Sequence, residues 1–219
     1  MTHWFRIADG ASGSASVHWF ETGDDLIPVR QASFDEPHGT APVVASVAAS
    51  REELTWTESK FGELGAGLYT ARYGALVDRP VRSPVRGGVR GPVRGGEAVG
   101  EAGFEAAWQR ARHGRNSSSP HEGGPLPHGT RLTGTVSELP WGPGRTGLFV
   151  DLGLPITGFV DMGHLLFDPD DWPPVGTVTE FEVTTVRFSL EPPRGAPQIR
   201  LRPTAVPPPG RPWRHPARP

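Results

Sequence analysis

Apolar and polar positions alternate over several short runs in the first part of the chain, a pattern typical of β-strands with one buried face. The runs predict strands at 4–8, 15–21, 26–34 and 43–47. After them the pattern changes, since Ser50 followed by Glu53 forms a capping box that predicts a helix over 54–61. Glycines interrupt that helix, and a second short helix is predicted over 68–76. Residues 1–79 are therefore predicted to form a small α+β domain.

The same alternation returns in the last third of the chain, where turn-forming glycines separate the runs. Strands are predicted at 130–137, 146–152, 156–161, 178–188 and 198–202. In the fourth run the apolar phase shifts, which predicts a β-bulge near Thr184, where a long strand bends around a barrel. The pattern predicts a five-stranded, all-β closed barrel over 129–204.

Residues 80–128 are predicted to be a low-complexity linker that contains one helix. Between Pro80 and Gly96 the pair Val-Arg recurs every four residues, among glycines and prolines that prevent a stable helix. The repeat is interpreted as a flexible, positively charged linker; the alternative is an arginine-glycine segment that contacts RNA.

An amphipathic helix is predicted over 97–112, because four apolar residues fall at helical spacing: Phe104, Ala107, Trp108 and Ala111. Docking on a neighbouring domain is favoured over binding of a partner, because a short helix seldom persists without a tertiary surface.

The distribution of charge changes the picture of possible partners. Residues 1–79 carry six basic and eleven acidic side chains, net −5, and residues 129–203 carry six and nine, net −3. Residues 80–128 carry seven and four, net +3, and the last sixteen residues add three arginines and no acid. Both predicted domains are therefore acidic, whereas a surface that binds phosphates usually is not. Residues 205–219, rich in proline and arginine, are predicted to be disordered.

Several kinds of chemistry are not expected. The chain has no cysteine, which excludes disulfides and thiolate zinc sites. We expect no metal, because the histidines and acids do not have metal-ligand spacing. We expect no cofactor, because no phosphate loop occurs, and no membrane contact, because no long apolar run occurs. No acid-base or nucleophilic constellation stands out, so the protein is not expected to be an enzyme. Because the sequence shows no signal peptide and no membrane span, a cytoplasmic location is expected.

Three motifs in the predicted barrel carry a resemblance: Gly-Leu-Phe-Val-Asp-Leu-Gly at 147–153, Gly-Phe-Val at 158–160 and Ile-Arg-Leu at 199–201. They resemble the RNA-binding domain that is repeated in ribosomal protein S-one, over about a third of the chain. The resemblance implies an OB-fold that binds single-stranded RNA on the outer face of strands two and three, with basic help from the last strand.

The resemblance can be carried over residue by residue. Phe149 matches the central stacking aromatic of strand two, whereas the second aromatic of that strand falls on Thr146. The family's histidine falls on Asp161, and Arg200 and Arg202 keep a basic outer face on strand five.

Two functions follow from this comparison. The first is weak, sequence-tolerant binding of single-stranded RNA through Phe149, Phe159, Arg200 and Arg202. The alternative is a protein-interaction or inhibitory module that reuses the barrel without binding RNA. For Phe149, base stacking and burial under another part of the protein are both open.

Overall fold

The computed structural model describes residues 1–9, 16–35, 45–81, 96–115 and 123–213. The chain divides into two compact units. The first, here the N-terminal unit, comprises Met1–Lys60 and Tyr69–Ser117, and the second, here the barrel unit, comprises Phe61–Leu68 and Ser118–Pro219. The mixed α+β class predicted for the whole chain is confirmed.

The N-terminal unit is built on a five-stranded antiparallel sheet with the order β4-β3-β2-β1-β5. Its strands are β1 (His3–Asp9), β2 (Ser16–Thr22), β3 (Pro28–Asp35), β4 (Ala45–Ser50) and β5 (Glu97–Ala98). The first four occupy the stretches where strands were predicted, although position 15 of the second prediction and positions 43 and 44 of the fourth lie outside the described residues. The alternating pattern was therefore a good guide to these strands.

Helix α1 (Arg51–Tyr73) consists of two helical segments separated at a glycine, as predicted, although the second segment begins before residue 68. Only Gly62 departs from helical geometry, with φ of 61° and ψ of −157°, and the helix is kinked there. Ser50 is the N-cap residue of α1, as predicted, but its side chain makes no capping hydrogen bond. The carboxylate of Glu53 instead accepts hydrogen bonds from Arg112 and Tyr69.

Helix α2 (Glu101–Arg115) packs on the sheet of the N-terminal unit. Its four predicted apolar residues are buried in a cluster with sheet residues that include Ala32, Phe34 and Ala48. Docking, the favoured role, is thus confirmed, but the helix starts at Glu101 rather than at residue 97, because Glu97–Ala98 pair with β1. Since α2 belongs to the N-terminal unit, that unit extends past residue 79, where the domain boundary was predicted.

The barrel unit contains a closed five-stranded barrel with the order β10-β8-β7-β6-β9. Its strands are β6 (Arg131–Glu138), β7 (Gly147–Asp151), β8 (Gly158–Asp161), β9 (Val178–Ser189) and β10 (Gly195–Pro203). β8 and β10 run parallel, and the other neighbours are antiparallel. Arg200 pairs with Thr185 while Leu201 pairs with Val183, so Thr184 is the extra residue of a bulge, as predicted.

The core of the barrel includes a side chain from far upstream in the sequence. Leu68, which is 1% exposed, joins the buried strand residues of the barrel, and Phe61 and Leu64 pack against the same cluster. Segment 61–68 is therefore part of the barrel unit, and the predicted limits of 129–204 omit a component of its core.

The C-terminal tail also differs from the prediction of disorder over 205–219. The structure describes the tail as far as Trp213, whose buried indole donates a hydrogen bond to the backbone oxygen of Asp171 at 2.9 Å. The backbone N–H of Gly210 donates to the carboxylate of the same aspartate at 2.8 Å. This part of the tail is held against the segment between β8 and β9.

Candidate nucleic-acid interface

A row of three outward-facing side chains crosses the barrel from β7 to β10. Phe149 on β7 pairs directly with Phe159 on β8, and Phe159 pairs with Arg200 on β10. These positions alternate with Leu148, Val150 and Val160, which are fully buried inside the barrel. The alternation forces Phe149, Phe159 and Arg200 onto the outer surface, where side chains in register touch one another.

The rings and the guanidinium of this row are in contact. The ring centroids of Phe149 and Phe159 lie 5.1 Å apart at an interplanar angle of 66°, an edge-to-face arrangement. The guanidinium carbon of Arg200 lies 4.5 Å from the centroid of Phe159, which places a cation over that ring. Phe159 is only 7% exposed, so the aromatic surface that remains open belongs to Phe149, which is partly exposed.

Arg200 is held between charges of both signs. Its side chain is 17% exposed, and Nη1 lies 3.7 Å from the carboxylate of Asp161. Burial lowers the pKa of Arg200 from its usual value, the positive charge of Arg187 lowers it further, and Asp161 opposes both effects. The buried Nε of Arg200 has no hydrogen-bond partner within the part of the chain that the structure describes. The row therefore contains a cation with an unused donor.

Arg202, the fourth predicted residue, lies two positions further along the same face of β10. Its guanidinium donates to the carboxylate of Glu182 on β9 at 2.6 Å, and the arginine stays about half exposed. The structure thus brings Phe149, Phe159 and Arg200 together and places Arg202 beside them in an ion pair. A phosphate at Arg202 would have to compete with Glu182.

The backbone explains why the Phe159 ring can lie close to β7. Gly147 begins that strand with φ of 142°, and a Cβ at this position would lie 2.0 Å from the backbone oxygen of Val160 and 2.9 Å from the ring of Phe159. Only glycine fits there. Thr146, which matches the family's second stacking aromatic, is exposed and offers no ring.

Sequence reasoning missed Arg187, an exposed residue on β9 that pairs with Gln198 and lies close enough to act electrostatically on Arg200. The signal was present, because Val186 and Phe188 were both assigned to the inside, which leaves Arg187 facing outward. Its addition gives three arginines on the outer face of β9 and β10.

Exposed apolar side chains lie in the segments that precede β7 and follow β8. Trp141 precedes β7, while Met162 and Phe167 follow β8, and all three are largely exposed. The loops are neighbours, since the backbone N–H of Met162 donates to the oxygen of Thr146 at 3.0 Å. No alternation marks loop residues, so the sequence pattern gave no sign of this surface.

Two further findings concern the described residues alone. No three histidine, aspartate or glutamate side chains among them come together in a way that could hold a metal ion. No helix in the same ranges is both long enough and apolar enough to cross a membrane.

Comparisons with known proteins give little similarity. No protein-family model matches the chain, and no curated protein matches it. Among solved structures, the chain is similar to a multidomain protein with nucleic acid binding domains from Streptococcus pneumoniae TIGR4, at 14% identity and a TM-score of 0.25. The match covers 94% of this chain and 52% of that protein, so the chain spans about half of its length.

Proposed function

We propose that this protein is a non-enzymatic nucleic-acid-binding protein that binds single-stranded RNA weakly through an OB-fold barrel of the S-one type. The observation that carries the proposal is the row Phe149–Phe159–Arg200, which combines a partly open ring with a cation. β7 and β8 are the second and third strands of the barrel, the face with which OB-folds bind oligonucleotides.

The charges on this face account for weak binding. One stacking platform contributes about 1 to 3 kcal/mol per base, and a second is missing at Thr146. Arg200 and Arg202 are each close to a carboxylate, so binding of a phosphate must displace or compete with an ion pair. Arg187, being exposed, adds a further positive charge beside Arg200. Few neutralised phosphates imply a shallow dependence of affinity on salt.

The test is fluorescence anisotropy of a labelled 12-nucleotide single-stranded RNA titrated with the full-length protein. Phe149→Leu, which keeps an apolar side chain but removes the ring, is expected to weaken binding about tenfold, because it removes one stacked base. Phe149→Tyr, which keeps the ring, is expected to bind like the wild type. The full chain is used because Leu68 belongs to the core of the barrel.

Arg200→Ala is the second variant of this test, and Arg131→Ala is its matched control. Arg131 is an exposed arginine on β6, paired with Glu180 and outside the row, so both variants lose one positive charge. A loss of affinity in Arg200→Ala alone supports the proposed site. Equal affinity of the Leu variant and the wild type would reject it.

A protein-interaction module is the second candidate function. Two observations favour it: Trp141, Met162 and Phe167 are exposed apolar side chains in the segments beside β7 and β8, and two cations on the outer face of β10 lie close to acids. Absence of RNA binding, together with a stoichiometric partner that co-purifies after nuclease treatment and is lost in Trp141→Ser, would select this candidate.

A further inference from the structure

Asp161 is a hydrogen-bond acceptor near Phe149, the one ring of the row that is partly exposed. It ends β8 two residues after Phe159, on the same outward face, and is paired with Gly147, the residue two positions before Phe149. This register makes the aspartate and Phe149 diagonal neighbours across two strands. The position opposite the acid has no side chain of its own, and the tip of the Phe159 ring lies over it. Diagonal neighbours of this kind have Cα atoms about 7 to 8 Å apart, within reach of a base stacked on the ring.

The carboxylate of Asp161 is oriented but not saturated. One oxygen accepts a hydrogen bond from the backbone N–H of Gly163 at 3.2 Å, and the other lies 3.7 Å from Nη1 of Arg200. The side chain remains 52% exposed. A carboxylate has about four acceptor positions and no donor, so acceptor positions remain free towards solvent.

An acceptor-only group discriminates among the bases. The Watson–Crick edge of guanine presents two adjacent donors, N1–H and the 2-amino group, which match the two oxygens of a carboxylate. Adenine and cytosine offer one amino group beside a ring acceptor, and uracil offers one N–H between two carbonyl oxygens. Single-stranded RNA is commonly read in this manner, by stacking on an aromatic ring and hydrogen bonding along the Watson–Crick edge.

We propose that Asp161 reads the base stacked on Phe149 and selects guanine there, with the other positions of the RNA bound without base preference. This inference rests on the proposed function and gives it a substrate class, single-stranded RNA that contains guanine. The residue that replaces the family's histidine is then a specificity-determining residue, because an anionic side chain disfavours phosphate at this position and favours a base edge with two donors.

The test compares four labelled 12-nucleotide RNAs by fluorescence anisotropy with the full-length protein. One is oligouridine, and the others carry a single central guanine, inosine or adenine. The guanine oligonucleotide is expected to bind about tenfold more tightly than the adenine and uridine ones, since a good bidentate pair discriminates by one or two orders of magnitude. Inosine, which lacks the 2-amino group, is expected to fall between them.

Asp161→Asn is the decisive variant, and it is expected to abolish the difference between the guanine and uridine oligonucleotides. Asp151→Asn is its matched control. Asp151 is also exposed, and its carboxylate also accepts from a backbone N–H two residues on, that of Gly153 at 2.8 Å. The control loses the same charge and keeps an amide oxygen that can accept the same type of local bond, and it is expected to keep the preference for guanine.

The outcomes separate this inference from the proposed function. Equal binding of all four RNAs, or a guanine preference that survives in Asp161→Asn, overturns the inference, while weaker binding by Phe149→Leu would still support the proposed function. If the wild type binds none of the four RNAs, both are rejected.

Discussion

Leu68 shows how much a single side chain contributes to the barrel unit. It is 1% exposed and belongs to the same buried cluster as the strand residues Val136, Phe181 and Ile199. We predict that Leu68→Ala lowers the free energy of unfolding by about 2 to 5 kcal/mol, because the substitution leaves a cavity in a packed core. Urea unfolding followed by circular dichroism measures the loss.

Glu63→Ala is the control for this prediction, since Glu63 is exposed in the same segment of α1. A surface substitution of this kind is expected to change stability by less than about 0.5 kcal/mol. Equal stabilities of the Leu68 variant and the control would show that segment 61–68 is not part of the barrel core.

The candidate site could be predicted from the sequence only in part, and the limit lies in its side-chain contacts. Strand alternation and the resemblance were enough to place Phe149, Phe159 and Arg200 on one outer face. The covering of Phe159 by Arg200 and the ion pair of Arg202 with Glu182 depend on cross-strand register, which alternation within one strand does not determine. Alternation was enough to place Arg187 on the outer face, but its closeness to Arg200 depends on the same register.

At the scale of elements, a buried polar cluster connects β4, α1 and α2 within the N-terminal unit. Arg112 donates two hydrogen bonds of 3.0 Å to the carboxylate of Glu53 and lies 4.3 Å from the ring centroid of Tyr73. The hydroxyl of Tyr69 donates to the same carboxylate at 2.7 Å, and the backbone N–H of Ser50 donates to that hydroxyl at 2.8 Å. The three elements are therefore linked by hydrogen bonds as well as by apolar packing.

This cluster predicts a loss of stability at high pH. Burial, reinforced by the negative charge of Glu53, raises the pKa of Tyr69 well above its ordinary value of 10.0. The raised pKa means that the contribution of Tyr69 to stability is complete below about pH 10. Above that pH the unfolded chain loses the proton while the folded protein keeps it, so the free energy of unfolding falls by up to about 1.4 kcal/mol per pH unit for this group.

The measurement is urea unfolding at pH values between 9 and 11. The chain has two tyrosines and a single lysine, so few other side chains titrate in this range. Tyr69→Phe is expected to reduce the slope of stability against pH and to leave the contribution of Tyr73, whose pKa burial also raises. An unchanged slope in this variant would contradict the assignment.

The elements themselves could be predicted to different extents. Nine of the ten strands lie in or overlap predicted runs, because period-two alternation is a local signal; the exception, β5, has only two residues. The interruption of α1 was predicted from Gly62, Gly65 and Gly67, and the structure has it at Gly62 alone, whereas Gly65 and Gly67 are helical. Tertiary packing, here the burial of Leu68 and Tyr69, outweighs local propensity.

At the scale of the whole molecule, the domain limits could not be read from composition. The change to glycine, proline and arginine after residue 79 suggested a boundary, but both units contain residues from each side of it. α2 returns to the N-terminal unit, and segment 61–68 belongs to the barrel unit. Such discontinuous units leave no compositional signal, because their limits are set by long-range burial.

These discontinuous units predict the outcome of limited proteolysis. The Val-Arg repeat contains arginines at 82, 86, 90 and 94, and all four lie outside the described residues, between 45–81 and 96–115. If the repeat is a flexible linker, as its composition predicts, trypsin cleaves there first. The two fragments are expected to elute together from a size-exclusion column, because Phe104 and Trp108 of the second fragment are buried among residues of the first, and Leu68 of the first is buried in the barrel.

The same digest run in 6 M urea through the column is the control, and there the fragments should separate, because unfolding exposes the apolar residues that hold them together. Separation under native conditions would mean that residues 1–79 form an independent domain and that α2 does not dock on its sheet. Co-elution, by contrast, would indicate a molecule that is cut but still folded together, and not two domains joined only by the linker. It would also show that RNA-binding measurements require the full chain, since no cut in the repeat yields a barrel that retains Leu68 and is free of the N-terminal sheet.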